Sequence, residues 1–166
     1  MKLYLVRHGE AEKVGGRISR DADRRLTATG EETSLWVGRA LGRIDPAIGT
    51  ILTSPLVRAV QTGTLIKREL GDKPAQRDSE MLTPGFRPKD LLKELFALPS
   101  VESIVAVGHE PDISRCLGYL IADGSHVSVT MGTGAVAGVE LRGAISEYEA
   151  ALLWFLTPPV VRALFS

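Results

Sequence analysis

Short runs of consecutive apolar residues alternate along this chain with stretches in which apolar residues return every three or four positions. Leu3-Tyr4-Leu5-Val6 is a compact apolar run and predicts a buried strand that stops at Arg7-His8-Gly9. Residues 10–25 lose all periodicity, hold Gly15-Gly16 and are dense in charge, which predicts a loop. Thr29-Gly30-Glu31-Glu32 has the spacing of a capping box, a hydroxyl at the N-cap and a carboxylate three residues on. It predicts a helix running to about Leu41. A second strand is predicted over residues 50–53. Ser54-Pro55 then offers an N-cap hydroxyl followed by proline at the first helical position. The helix it predicts ends at Gly71, with Leu56, Val60 and Gly63 on one face and Arg58 in the first turn.

A short strand over residues 74–79, a turn at Pro84-Gly85 and an amphipathic helix marked by Leu91, Leu92, Leu95 and Phe96 come next. Ile104-Val105-Ala106-Val107 is uninterrupted and apolar, as for a central strand covered on both faces, and it ends at Gly108-His109. Pro111 opens a helix in which Ile113, Cys116, Leu117, Leu120 and Ile121 form one apolar stripe, placing Cys116 in the core. Val127, Val129 and Met131 alternate with polar neighbours before the turn signal Gly132-Thr133-Gly134, and apolar residues return over 135–141. That pattern predicts a strand pair. A last strand is predicted over residues 149–156, stopped by Pro158-Pro159. Together these elements predict an α/β fold: a three-layer sandwich with a central, largely parallel but mixed sheet and helices on both faces, in one domain spanning residues 1–166.

Charge changes this picture little. Lys+Arg and Asp+Glu number 20 each, so no overall field holds a nucleic-acid backbone or an anionic membrane. Any anion must be held by a local cluster. The single cysteine excludes an internal disulfide framework and fits a reducing compartment. The first apolar run is too short for a signal sequence, and the most apolar stretch, residues 150–165, is cut by Pro158-Pro159 and carries Arg162. The expectation is a cytoplasmic protein that crosses no membrane.

Chemistry concentrates where apolar runs stop. Arg7-His8-Gly9-Glu10, Ser54-Pro55-Leu56-Val57-Arg58 and Gly108-His109-Glu110-Pro111 each place polar side chains directly after a predicted strand. In a parallel sheet the carboxyl ends of the strands share one edge, where ligands bind. Two of the three histidines and two arginines can therefore converge there. Arg7 and Arg58 are cationic forks suited to phosphate oxygens, and the helix predicted after Ser54 points its positive end the same way. A tetrahedral oxyanion is the natural guest. Between two guanidinium groups a histidine is held neutral, with a free lone pair able to attack phosphorus and form a phosphohistidine. The second histidine and the arginines would stabilise the charge on the equatorial oxygens. Glu10, Glu110 and Asp112 beside the histidines raise the alternative of a metal site, but the arginines repel a divalent cation and no helix carries paired histidines. No metal and no cofactor is expected. His126 fits a strand edge, Trp36 and Trp154 fit the core, and Arg17, Arg20, Arg24 and Arg25 form a charged loop half balanced by Asp21 and Asp23, with Arg24 or Arg25 bordering the pocket.

Arg7-His8-Gly9 after an N-terminal strand, Arg25-Leu26-Thr27-x-x-Gly30, Ser54-Pro55-x-x-Arg58-Ala59-x-Gln61-Thr62 and Val107-Gly108-His109-x-Pro111 resemble the motifs of the histidine phosphatase superfamily, the phosphoglycerate-mutase-like enzymes. The resemblance implies that His8 is the phosphorylated nucleophile and that Arg7, Arg58 and His109 form the phosphate pocket. Arg7-His8-Gly9-Glu10-Ala11, Glu80-x-Leu82-x-Pro84-Gly85 and Leu153-Trp154-x-Leu156-x-Pro158-Pro159 are similar to the SixA-type phosphohistidine phosphatases. Val14 stands where the mutases commonly have asparagine, and few residues separate Arg58 from His109, which leaves little room for the insertions that larger mutases and acid phosphatases fold over the substrate as a lid. The resemblance thus implies an open site acting on phosphohistidine in a signalling or phosphotransfer protein. Alternatives are a small phosphate ester as substrate, or a phosphate-recognition module without turnover, which would have no need of the nucleophile. Larger relatives protonate the leaving group with a carboxyl group, and Glu80 is the residue placed roughly there.

Overall fold

In the computed structural model, which describes residues 1–15, 18–98, 102–122, 127–144 and 147–165, the first apolar run forms β1 (Lys2–Arg7) with Leu3 to Val6 fully buried. A 3-10 turn (Asp21–Asp23) interrupts the loop that follows, and α1 (Ala28–Ile44), β2 (Thr50–Thr53), α2 (Val57–Leu70) and β3 (Ala75–Asp78) come next. A second 3-10 turn (Glu80–Leu82) leads to α3 (Pro88–Ala97), β4 (Ser103–Gly108), α4 (Asp112–Ile121), β5 (Val136–Ala144), β6 (Glu147–Leu156) and α5 (Pro158–Phe165). The six strands form one sheet in the order β3-β2-β4-β1-β5-β6. The first four are parallel neighbours, while β5 and β6 are antiparallel, so the sheet is mixed and mostly parallel.

Parallel neighbours require crossover connections, and those connections are the helices that cover the sheet. One face packs α1, α2 and α5 through Trp36, Val37, Leu41, Ala59, Ile66 and Val161. The other packs α3 and α4 through Leu91, Leu95, Ile113, Cys116, Leu117 and Leu120. The three-layer α/β sandwich expected from the sequence is the observed fold. Cys116 is fully buried, which pushes its thiol pKa up to about 12. Trp36 lies in the core, and half-buried Trp154 stacks on Tyr4 at 5.5 Å. Among the described residues no helix is long and apolar enough to cross a membrane.

Several expected boundaries move, each for a tertiary reason. The cap of α1 is Thr27, not Thr29: its Oγ1 accepts from Gly30 N at 3.1 Å and donates to Glu10 Oε1 at 2.8 Å, tying the helix start to the loop after β1. Ser54 does not cap α2, because its N–H bonds Val107 O at 3.0 Å and keeps it in the sheet, so the helix begins at Val57. The buried stripe of α2 is Ala59, Thr62, Gly63 and Ile66, while Leu56 and Val60 are half-buried. The strand pair expected around Gly132-Thr133-Gly134 does not form. Residues 127–131 stay irregular because Met131 N–H bonds Ser114 Oγ at 2.9 Å and Met131 O accepts from Arg7, and β5 pairs instead with β1 and β6. Pro158-Pro159 opens α5 rather than ending the order, since proline suits a first helical turn that has no N–H partner to lose. His126 and Arg17 lie outside the described residues.

At the sheet edge where β1 and β4 begin, Asp45 is 3% exposed and accepts from Tyr4 Oη (2.7 Å), Ser103 Oγ (2.6 Å) and Ala47 N (2.9 Å), with Lys2 Nζ at 3.4 Å. Burial alone would raise its pKa, but the hydrogen bonds from Ser103 and Tyr4 outweigh that and hold it below the usual carboxylate range. Asp45→Ala strands two hydroxyls in the core and is expected to cost about 3 kcal/mol in urea unfolding. Phosphate affinity should be unchanged, because Asp45 lies at the edge opposite the carboxyl ends of the strands.

Candidate active site

Strands β1 and β4 pair in parallel with Arg7 opposite Gly108, so the residue that follows each is a histidine and the two histidines are neighbours. Their ring centroids are 5.0 Å apart, tilted by 56°. His8 is 7% exposed and His109 2%. Arg58, in the first turn of α2, reaches the same place because β2 lies beside β4 and ends at the same edge. The turn after β1 is tight against α1: a Cβ on Gly9 would lie 2.6 Å from Gly30 O and 2.9 Å from Ser34 Oγ. A Cβ on Gly30 would collide with Glu10 O, so both glycines are needed for this close approach.

The ring of His8 has a defined orientation. Nδ1 lies 2.7 Å from Gly9 O and must carry the proton there, which leaves the Nε2 lone pair to accept from Arg58 Nε at 3.1 Å. Arg58 is completed by Asp21, whose backbone oxygen accepts from Nη1 at 2.7 Å and whose Oδ2 accepts from Nη2 at 2.8 Å. Arg7 Nη1 donates to Met131 O at 2.8 Å. Arg7 Nε and both ring nitrogens of His109 are buried without a hydrogen-bond partner. Orphaned polar atoms of this kind cost roughly 1–3 kcal/mol each and mark a place built for a ligand.

Burial lowers the pKa of His8 to about 4, against the Gly9 hydrogen bond that raises it, with Arg58, Arg7 and Arg24 lowering it further. Burial likewise lowers His109 to about 3, helped by His8 and Arg58 and opposed by Asp21. Both imidazoles are therefore neutral at physiological pH. A neutral imidazole keeps a lone pair that, once released from Arg58, can attack an electrophilic phosphorus while the two guanidinium groups take up charge on its oxygens.

Arg7, His8, Arg58 and His109 are thus brought together as expected. Arg24 also borders the site, donating from Nη1 to Asp21 Oδ1 at 2.9 Å and from Nε to Glu12 O. Arg25 lines an open groove of about 890 Å³ beside the site, with Lys13, Arg20 and Val57. Glu80 is exposed on its 3-10 turn, whose Leu82 packs beside Gly108. In the sequence Asp21 is one charge of a polar loop, and no local pattern marks it as a partner of Arg58. Among the described residues no three His, Cys, Asp or Glu side chains cluster as a metal ion would require.

The profile of the histidine phosphatase superfamily (branch 1) matches residues 3–82, which hold β1 from Leu3 on, the Gly30 approach, Arg58 and Glu80. The chain belongs to this superfamily and is a phosphatase of that class. Within it, the chain is similar to the protein histidine phosphatase SixA in a structure complexed with tungstate, with a TM-score of 0.82, 25% identity and coverage of 96% of this chain and 98% of that one. A phosphoserine phosphatase variant from Entamoeba histolytica in complex with phosphoserine shares the fold, with a TM-score of 0.70, 20% identity and coverage of 95% and 97%. An uncharacterized protein of Picosynechococcus sp. is 34% identical over 123 residues, covering 69% of this chain and 70% of that protein.

The lowered histidine pKa values make a prediction for stability. An unfolded histidine takes a proton below about pH 6.5, whereas the folded sites refuse it until about 4 and 3. The stabilisation is complete above pH 6.5 and is lost as pH falls below it, by about 1.4 kcal/mol per pH unit for each histidine. Urea unfolding in phosphate-free buffer between pH 7 and 4.5 should show this slope, and His109→Gln should remove about half of it.

Proposed function

We propose that the protein hydrolyses phosphohistidine on a signalling or phosphotransfer protein, with His8 as nucleophile and Arg7, Arg58 and His109 as the phosphate pocket. The observation that carries this reading is the His8 Nε2 lone pair, held toward Arg58 and flanked by the unpartnered nitrogens of His109 and Arg7. A phosphoryl oxygen would take the N–H that Arg58 now donates to His8, freeing the lone pair to form the N–P bond. The P–N bond of the substrate breaks and its electron pair stays on the departing imidazole nitrogen. Water then forms a P–O bond, the His8 N–P bond breaks with its electron pair returning to Nε2, and inorganic phosphate leaves with both protons of that water as dihydrogen phosphate.

Two features favour a protein-borne phosphoryl group. Between Arg58 and His109 the described chain holds the rest of α2, β3, a 3-10 turn, α3 and β4, with no inserted domain to close over a small molecule. With a TM-score of 0.82 against 0.70 for the phosphoserine phosphatase, the likeness to SixA is also the stronger of the two structural likenesses above. The tungstate of that structure is a tetrahedral oxyanion, the guest this cluster of donors suits.

Incubation of the purified protein with a phosphohistidine-bearing domain, and separately with a panel of small phosphate esters, tests the reading. Phosphate release from the former alone is expected. Release from the esters alone moves the substrate to a small phosphorylated metabolite, and binding without release leaves a phosphate-recognition module. His8→Ala should abolish turnover of whichever substrate is used.

Glu80 has a smaller part in this scheme. An imidazole that carries a proton on its far nitrogen departs neutral, so no proton need be delivered at the breaking bond. Glu80→Gln is expected to lower phosphohistidine turnover less than about tenfold. A loss in the ~10²–10⁴ range typical of general acid catalysis would assign it that role instead.

A further inference from the structure

The guanidinium of Arg58 is 5% exposed, and a buried cation needs acceptors. The structure supplies them internally, from His8 Nε2 on Nε and from Asp21 on Nη1 and Nη2. The Asp21 carboxylate bridges two cations, with Oδ2 on Arg58 and Oδ1 on Arg24. It projects from a 3-10 turn that buries none of its residues, and its side chain is 55% exposed. Its charge is felt at His109, where it opposes the lowering of pKa by burial, His8 and Arg58. A negative oxygen therefore lies on Nη2, on the arginine edge that a phosphoryl group would use, and it is carried by an exposed element.

We propose that Asp21 is an internal competitor for the phosphoryl group, occupying Arg58 when the site is empty and swinging onto Arg24 when phosphate displaces it. This rests on the phosphatase reading above and adds to it the residue that sets phosphoryl affinity. The Asp21 backbone oxygen can keep its bond to Arg58 Nη1, so only the side chain has to leave. Two anions on one guanidinium repel, and binding of the second is weakened by the energy of removing the first. In return, the carboxylate keeps Arg58 paired and in place while no substrate is bound.

The test is calorimetric titration of inorganic phosphate into the wild-type protein, Asp21→Asn and Asp23→Asn at neutral pH. Asp23 pairs with Arg20 alone among the described residues, so its substitution controls for the change in net charge. Asp21→Asn is expected to bind phosphate at least about fivefold more tightly than wild type, a typical coupling for mutually exclusive ligands. Asp23→Asn should bind as wild type does. In turnover, Asp21→Asn should lower KM and the phosphate inhibition constant together. Equal or weaker phosphate binding by Asp21→Asn, with wild type binding and turning over normally, overturns the assignment and makes Asp21 a support for Arg58. Failure of the wild-type protein to bind phosphate at all would sink the phosphatase reading and this inference together.

Discussion

The site depends on one constraint, the parallel register of β1 on β4. With Arg7 opposite Gly108, the next residue on each strand is a histidine, and neighbouring strands lie about 4.8 Å apart. The 5.0 Å separation of the two rings follows from the sheet itself. A slip of one residue would turn one of the two side chains to the other face. The register is enforced by strands buried on both sides, with Leu3 and Leu5 facing α3 and α4 and Tyr4 and Val6 facing α1 and α2. Core packing thereby sets the geometry of the chemistry.

The same arrangement carries a local electrostatic load inside a chain of zero net charge. A buried guanidinium, that of Arg58, and a half-buried one, that of Arg7, are brought beside two neutral imidazoles, and each cation has an internal acceptor. Arg58 uses His8 and Asp21, while Arg7 uses the carbonyl of Met131. The Arg58 set is complete and the Arg7 set is not: Arg7 Nε and both nitrogens of His109 remain without partners. The folded state tolerates these orphaned groups because the large two-sided core supplies the compensating stability. The result is a cluster of donors whose natural complement is a tetrahedral anion.

Positioning extends well beyond the residues that face the ligand. Ser114 Oγ donates to Glu110 Oε2 at 2.7 Å and accepts from Met131 N at 2.9 Å, and Met131 O in turn holds Arg7. An irregular segment is thus used as a strut between α4 and the first motif. On the opposite side, Gly9 N donates to Thr62 Oγ1 at 3.0 Å, and Thr62 lies one turn beyond Arg58 on α2. Thr62 and the glycine pair Gly9 and Gly30 explain in physical terms why the motifs extend past the histidines and arginines. They let three chain segments approach closely enough for the side chains to meet.

The alternation of apolar runs and helical periodicity was enough to place β1, β2, β4 and α4 within a residue or two and to find α3, because each is buried on a face that the pattern records. The cluster of Arg7, His8, Arg58 and His109 was legible for a related reason: strand ends in a parallel sheet share an edge, so local order predicts convergence. Features set by contacts between distant segments were not legible. The start of α1 at Thr27, the later start of α2, the unpaired segment over residues 127–131 and the pairing of β5 with β6 all follow from hydrogen bonds across the fold. Asp21 is the clearest case, since one charged residue in a polar loop differs from its neighbours only by the buried guanidinium that the folded chain brings beside it. The sequence by itself determined which residues are buried and which could do chemistry. Only the tertiary structure decided which polar groups satisfy one another and which are left waiting, because that pairing depends on distances between segments far apart in the chain.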